Sequence, residues 1–328
     1  MIMNHDYLRQ LVKRYIDEYL WKQKRNKKFD CLLKNEVNMK NVVITGGNGY
    51  IGSHVVKKIL EYPDEFGIVV ACRNSENIPT GVKCLSLDIL KDSNKTNLFE
   101  YLGKPDICIH LAWTNGFQHN APSHIEELSS HFTFLKNLAD SGTHQFIVAG
   151  SFREYGSVNG MVSQNVFTEP ENLYALSKRT LKRALEIYFK DRDICLQWIR
   201  PFTVYGDDEK NNSIMSKIIK WEKENKKTFQ FTNGDEQYDY IEIDQLAQQI
   251  IAIASQTEID GVIDCCSGYP TRIGDKIEEF LTTNGYKIRP LYGAFPKRAY
   301  DSPVIYGDST KIKEIMRLFQ NKHKKSEA

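Results

Sequence analysis

The chain has 328 residues, 41% hydrophobic and 26% charged, with a formal net charge of +2, a profile that suits a soluble globular chain with one large two-lobed domain or two small ones. Residues 1–39 hold nine Lys/Arg against five Asp/Glu, leaving 35 against 37 for the rest, and a body this near to neutral offers no electrostatic footprint for nucleic acid. No apolar run approaches the roughly 20 residues of a membrane span, and the polar, charged N-terminus reads as no signal peptide.

Residues 6–24 place Tyr7, Leu8, Leu11, Val12, Tyr15, Ile16, Tyr19 and Leu20 at helical spacing. Residues 1–39 are therefore expected to form an N-terminal helical extension, its apolar stripe packed on the body or on a partner subunit. The basic run KQKRNKK (22–28) reads as a solvated face, with a membrane surface or RNA as the alternative. From residue 41 the apolar runs NVVIT, GIVVAC, VKCLSLD, DICIHLAW, QFIVAGS and CLQWIRP alternate with helix-like or loop sequence. Short strands alternating with helices predict a parallel sheet with helices on both faces. A later helix-like segment, IDQLAQQIIAIASQ, leads to one more strand, GVIDCCSG. The last stretch, about 60 residues, is less periodic and richer in turn formers. Cys31, Cys72, Cys84, Cys108, Cys195, Cys265 and Cys266 make no CxxC pair, as expected of reduced thiols in a cytoplasmic protein.

TGGNGYIG (45–52) contains Gly47-x-Gly49-x-x-Gly52 and, overlapping it, Gly46-x-x-Gly49-x-x-Gly52. Glycines here let the chain turn tightly after a strand and bring backbone N–H groups close to a pyrophosphate. A helix opening at Tyr50 and Ile51 points its positive end at the same phosphates. The motif follows VVIT and opens IGSHVVKKILE, the strand–loop–helix context that dinucleotide binding requires. A plain Gly-rich turn is the alternative. The fold class is thus expected to be α/β, a Rossmann-type doubly wound parallel sheet. The end of its second strand should meet the adenosine ribose, where Asp or Glu favours NAD and an arginine accommodates a 2′-phosphate. The usual acidic position is Cys72, and Arg73 follows. NADP(H) is therefore expected over NAD(H), since a guanidinium forms paired, charge-assisted bonds to phosphate. Asp88, with Ile89 after it, ends the third strand and is a candidate for the adenine edge.

ENLYALSKRTLKRALEIY is a helix pattern carrying Tyr174 and Lys178 at i and i+4, on one face. A phenol with an ordinary pKa near 10 is a poor acid–base at neutral pH, and a neighbouring ammonium favours its phenolate. Upstream, VAGSFREYG places Ser151 just past an apolar strand, where a hydroxyl reaches the same substrate oxygen. His110, His119, His124 and His131 are spaced by 9, 5 and 7, which is no recognised metal-ligand pattern. No metal site is expected.

Taken together, TGGNGYIG, HLAW (110–113), GSFREYG (150–156), YALSK (174–178), RPFTVYG (200–206), YDYIEIDQLA (238–247) and GAFPKR (293–298) span about residues 41–310. The chain resembles the extended short-chain dehydrogenase/reductases of the NAD-dependent epimerase/dehydratase family that modify nucleotide sugars. The resemblance implies a dinucleotide domain at 40–205 plus 240–265 and a substrate lobe at 206–239 plus 266–328. It implies Ser151, Tyr174 and Lys178 as the catalytic set: Tyr174 exchanges a proton with the sugar oxygen, Lys178 holds the nicotinamide ribose, and Ser151 orients the carbonyl. Leu111 and Ala112 would pass the cofactor, Trp113 would face the sugar, and Pro201, Thr203 and Val204 would lie by the nicotinamide amide. Phe152, Arg153 and Arg298 fall to the substrate side, Arg298 at the pyrophosphate. A homodimer paired through two helices per subunit, one bearing Tyr174, is also implied. Where many relatives have an arginine and a histidine, this chain has Tyr238 and Glu242, which removes an expected basic contact; Tyr238 either packs or touches ligand.

Fold alone does not fix the reaction. Relatives that epimerise or dehydrate keep NAD bound, whereas a net reductase takes up fresh cofactor, so Arg73 leans toward reductase. HLAW, EYG and GAFPKR resemble the 4-ketoreductases that finish 6-deoxy sugars, of the CDP-abequose synthase and dTDP-4-keto-6-deoxyglucose reductase types. Phe152 and Arg153 cannot supply the acid–base pair of a dehydratase, and Glu154 is expected to brace its loop rather than touch a sugar hydroxyl. The expected activity is NADPH-dependent reduction at C4 of an NDP-4-keto-6-deoxyhexose, CDP- or dTDP-linked, in deoxysugar synthesis for surface polysaccharide. A nucleotide-sugar 4-epimerase is the alternative. A non-catalytic NADP-binding sensor or scaffold is the alternative of another class, against which the Ser151/Tyr174/Lys178 set stands.

Overall fold

The computed structural model describes residues 39–206, 209, 211–298 and 300–324. The expected N-terminal helix and the basic run at 22–28 lie outside the described residues. In chain order the strands are β1 (Lys40–Thr45), β2 (Phe66–Cys72), β3 (Lys83–Ser86), β4 (Ile107–His110), β5 (Gln145–Ala149), β6 (Asn159–Val162), β7 (Cys195–Pro201), β8 (Thr203–Tyr205), β9 (Thr228–Gln230), β10 (Gln237–Glu242), β11 (Gly261–Cys265), β12 (Pro270–Arg272), β13 (Arg289–Leu291) and β14 (Val304–Gly307).

Seven strands form one sheet in the order β11-β7-β5-β4-β1-β2-β3, and β7–β11, β5–β7, β4–β5, β1–β4 and β2–β3 pair in parallel. β4 and β5 are buried along their whole length, which is why they read as unbroken apolar runs. One face packs against the helices Tyr50–Ile59 and Ile243–Ala254. The other packs against Leu128–Ser141 and Leu173–Tyr188. Strand order reverses at β1, so the carboxyl ends of β1 and β4 bound the crevice where a doubly wound sheet takes its ligand. Among the described residues no helix is long and apolar enough to cross a membrane.

The shorter strands build two further sheets. One runs β12-β10-β14-β6 with β8 paired to β10, and the other is β13-β9. Met215, Ile218, Phe229, Phe231, Ile277, Leu281 and Ile288 make a separate apolar cluster. The stretch read as less periodic holds two regular helices, Ile273–Thr283 and Thr310–Lys324. The second helix buries Ile312, Ile315 and Phe319 in the large sheet's core, because that i, i+3, i+7 stripe gives it an apolar face. It packs there rather than among the strands following residue 266. Asp239, fully buried in β10, accepts from Ser267 N and Oγ (2.7 Å each), Gly268 N (2.8 Å) and Gly307 N (3.3 Å), tying three segments together.

A second buried carboxylate fixes the loop after β5. Glu154 accepts from Ser151 N and Trp198 Nε1 through Oε1 (2.9 Å each), and from Arg200 Nε (3.1 Å) and Nη2 (2.9 Å) through Oε2. Ser151 in turn accepts from Arg153 N (3.2 Å), so the turn Phe152–Tyr155 opens with a reciprocal capping box. Glu154 thus braces its loop, as expected. Burial works against the Arg200 charge, but Glu154 and Tyr155 more than offset it and hold the guanidinium above its ordinary value. Gly150 cannot be enlarged, since a β-carbon there would lie 2.1 Å from Trp198 Nε1 and 2.3 Å from Glu154 Oε1. Replacing Glu154 by Gln should leave the buried Arg200 uncompensated and cost about 3–5 kcal/mol of stability, read from denaturant midpoints; unchanged midpoints would show that the pair does not carry the loop.

Candidate active site

The glycine loop leaves β1 at Thr45 and meets the chain leaving β4 at closest approach. Gly46 has φ +69°, and a β-carbon there would stand 2.7 Å from Ala112 N and 2.9 Å from the Leu111 carbonyl carbon. A β-carbon on Gly52 would lie 2.0 Å from the Gly46 carbonyl oxygen. The helix Tyr50–Ile59 begins on Gly49, so no side chain covers its first turn. A backbone cradle at a helix N-terminus suits a pyrophosphate, and the residues present therefore fit a dinucleotide. The structure brings Gly46, Gly49, Gly52, Leu111 and Ala112 together as the sequence suggests. The Tyr50 hydroxyl donates to Gly206 O at 2.5 Å, fastening this helix to the chain beyond Thr203 and Val204, which pair with β10. Pro201 ends β7 beside Cys265 of β11.

At the end of β2, Cys72 is buried with its thiol 2.7 Å from that of Cys84. Burial, helped by that contact, pushes it up to about 12. Arg73 is exposed. Asn48 of the glycine loop donates to Asn74 Oδ1 at 2.7 Å, linking the loop to the segment that carries Arg73, a contact no sequence signal announced. Asp88 caps the short helix after β3 by accepting from Leu90 N (3.2 Å), and Ile89 is buried in it.

Ser151, Tyr174 and Lys178 converge at the carboxyl end of β5. Asn172 caps the helix Leu173–Tyr188 by accepting from Ala175 N (3.0 Å), and His119 O accepts from Tyr174 N (2.8 Å). Lys178 is buried and donates to Ala149 O at 2.6 Å. Its ammonium stands 3.7 Å from the centroid of the Trp113 ring and 5.9 Å from that of Tyr174. Burial brings Lys178 down to about 7, with Glu154 opposing. Burial pushes the Tyr174 phenol up to about 12, with the Ser151 hydroxyl opposing and Glu154 reinforcing. The amine, expected to favour the phenolate, is held by Ala149 O and the indole face, and burial is the larger influence on the phenol. Trp113, expected to face the sugar, lies over Lys178 and edge-on to Tyr174 (centroids 6.4 Å, 79°).

Beside this set opens a cavity lined by Phe152, Arg153, Asn172, Tyr238, Tyr300 and Asp301, among others. Arg153 Nη1 reaches Asp301 Oδ1 at 3.3 Å. His119 is brought down to about 4 by burial, Arg153, Arg298 and His124, and Arg298 stands 6.0 Å from the ring centroid of Tyr300, which lines the cavity with Arg153. Tyr238 lines it while packing on an apolar cluster with Tyr155 and Phe202, and Glu242 caps the next helix by accepting from Asp244 N (2.9 Å) and Gln245 N (3.1 Å). The histidines of this region are absorbed by the protein: His110 contacts Thr45 Oγ1 and His131 Nδ1 (2.9 Å each), and His124 accepts from Trp113 Nε1 (3.1 Å). That the chain at 111–131 folds over the catalytic helix has no signal in residue spacing.

Residues 42–265 match the NAD dependent epimerase/dehydratase family. The chain is 34% identical over 271 residues to a dTDP-6-deoxy-L-talose 4-dehydrogenase (NAD(+)) of Aggregatibacter actinomycetemcomitans, covering 81% of this chain and 99% of that one. The UDP-glucose 4-epimerase of Thermotoga maritima superposes with a TM-score of 0.73 at 20% identity, covering 84% of this chain and 91% of that one. The UDP-glucuronic acid 4-epimerase of Bacillus cereus, in complex with UDP-glucuronic acid and NAD, gives 0.70 at 22% identity, with coverage of 84% and 93%. With the glycine cradle and the Ser151, Tyr174 and Lys178 constellation on the sheet end they share, the chain belongs to the NAD-dependent epimerase/dehydratase family.

Proposed function

We propose that the protein is a nicotinamide-dependent oxidoreductase acting at C4 of a nucleotide-linked 6-deoxyhexose, working as a 4-ketoreductase. The observation that carries this reading is the meeting of Ser151, Tyr174 and Lys178 at the crevice between the glycine cradle and the Arg153/Tyr238 cavity. A bound nicotinamide supplies the hydride. Ser151 holds the carbonyl oxygen by a hydrogen bond, and Tyr174, kept protonated by burial, donates its phenolic proton to that oxygen as charge develops. Lys178 orients the ribose next to it. Arg153 and Arg298 face the substrate diphosphate, with residues 206–239 and 266–298 supplying the rest of the substrate side.

The 34% identical relative, named for oxidation at C4 of a dTDP-6-deoxyhexose, supports the same bond and favours a dTDP-linked sugar over a CDP-linked one. That relative is named for NAD(+); exposed Arg73 supports NADP(H) here. Epimerisation uses the same groups and is the second reading, supported by the fold shared with 4-epimerases. Leu176 and Ile187, exposed on the helix that bears Tyr174, together with Ile125, support pairing of two copies through that helix.

Purified protein should consume one NADPH per molecule of a dTDP-4-keto-6-deoxyhexose, while cofactor-free interconversion of NDP-hexoses would place it with the epimerases. Tyr174→Phe should lower turnover by about 10²–10⁴-fold with NADPH binding kept, and full activity in that variant would remove the catalytic assignment. Arg73→Asp should weaken NADPH binding by about 10–100-fold through loss of charge-assisted bonds, with NADH spared; equal affinities before and after would leave the cofactor choice to other residues. Leu176→Asp with Ile187→Asp should yield monomers in light scattering if the pairing holds.

A further inference from the structure

We propose that Trp113 is a positioning residue for catalysis: its indole face holds the Lys178 ammonium beside Tyr174 and fixes the charge that the amine carries. The proposal rests on the reading of Lys178 and Tyr174 as catalytic. Lys178 is buried to 2% exposure, and among the described residues no carboxylate pairs with it. Its near contacts are Ala149 O at 2.6 Å and the Trp113 ring at 3.7 Å. A cation over the face of an indole is attracted by the ring quadrupole, and more strongly where water is excluded. The indole thus supplies the stabilisation that a buried ammonium otherwise lacks.

The ring is itself fixed. His131 stacks on it at 4.4 Å and 21°. The indole N–H donates to His124 Nδ1 at 3.1 Å, so the other nitrogen of His124 donates to Gln118 O at 3.0 Å. Burial brings His131 down to about 3, with Lys178 adding to the effect, and lowers His110 in the same way. The far face of the indole therefore meets a neutral ring and bears no charge that competes with Lys178. The titratable groups facing Lys178 are Tyr174 on its own helix, Glu154 from the turn after β5, His110 at the end of β4 and His131 on Leu128–Ser141. Glu154 is committed to Arg200.

The sign follows. The indole face favours ammonium over amine, so weakening its quadrupole lowers the pH at which Lys178 loses its proton. Burial already sets that pH at about 7. The charge change therefore falls in the assay range, and activity falls as pH rises through it. The test replaces Trp113 alone, by suppressor-tRNA incorporation, with mono-, di- and tetrafluorotryptophan, which keep the shape while withdrawing charge from the face. Lys178 is titrated by 13Cε NMR, assigned by loss of its signal in Lys178→Met, and kcat and KM are measured against pH with NADPH and a dTDP-4-keto-6-deoxyhexose. Both the NMR midpoint and the alkaline limb of kcat should fall stepwise, by on the order of 1 pH unit across the series, with KM little changed. Trp113→Phe should lie between tryptophan and Trp113→Leu. A flat NMR series overturns the contact, and a moving NMR midpoint with a fixed kcat limb overturns the positioning role. Turnover that survives in Lys178→Met would sink the catalytic reading instead, while the NMR series still decides whether the ring holds the amine.

Discussion

A carboxylate with no access to water must find donors for its lone pairs, and at Glu154 that requirement organises the end of the sheet that carries the candidate site. Its four donors come from the catalytic loop and from neighbouring β7. Ser151 is placed by the same bonds that neutralise the charge. Behind Arg200, at 4.4 Å, lies the Tyr155 ring, and the Tyr155 hydroxyl donates to both oxygens of Asp264 on β11 (2.9 and 2.8 Å). Burial pushes Asp264 up to about 7, with Tyr155 opposing. β5, β7 and β11 are thereby held in register by polar groups as well as by their backbone ladder.

Above that floor the two titrating groups are tuned in opposite directions by one cause. Burial disfavours whichever form is charged, so the phenol of Tyr174 keeps its proton and the amine of Lys178 gives its up more readily. A phenol held protonated can donate to a substrate oxygen as negative charge develops there. The aromatic face that shelters the amine belongs to a residue outside the Ser–Tyr–Lys pattern.

The large sheet was legible because its central strands β4 and β5, buried on both faces, are apolar runs; the edge strand β3, with no buried residue, still showed in the shorter run VKCLSLD. The glycine loop was legible because backbone approach of the kind seen at Gly46 admits no other residue. The small sheets were not: β8, β9, β12 and β13 have three residues each, too few for a period to show. Side-chain direction was the second loss. Nothing in HLAW tells whether Trp113 turns toward a sugar or onto Lys178, since its partners His124 and His131 arrive from two helices further along, Ser123–Glu126 and Leu128–Ser141. The surroundings of Lys178 follow from those helices, which no i, i+4 spacing contains.

The lack of room at Gly150 bears on how such a protein can acquire a new substrate. Any side chain at that position collides with the Glu154–Trp198 contact, so the floor of the site offers no route for gradual change. Arg298, by contrast, is exposed and stands 6.0 Å from the ring centroid of Tyr300, which lines the cavity. Diversification of the recognised substrate would therefore proceed at exposed positions such as Arg298 over an unyielding floor, and a directed-evolution library gains by sparing Gly150.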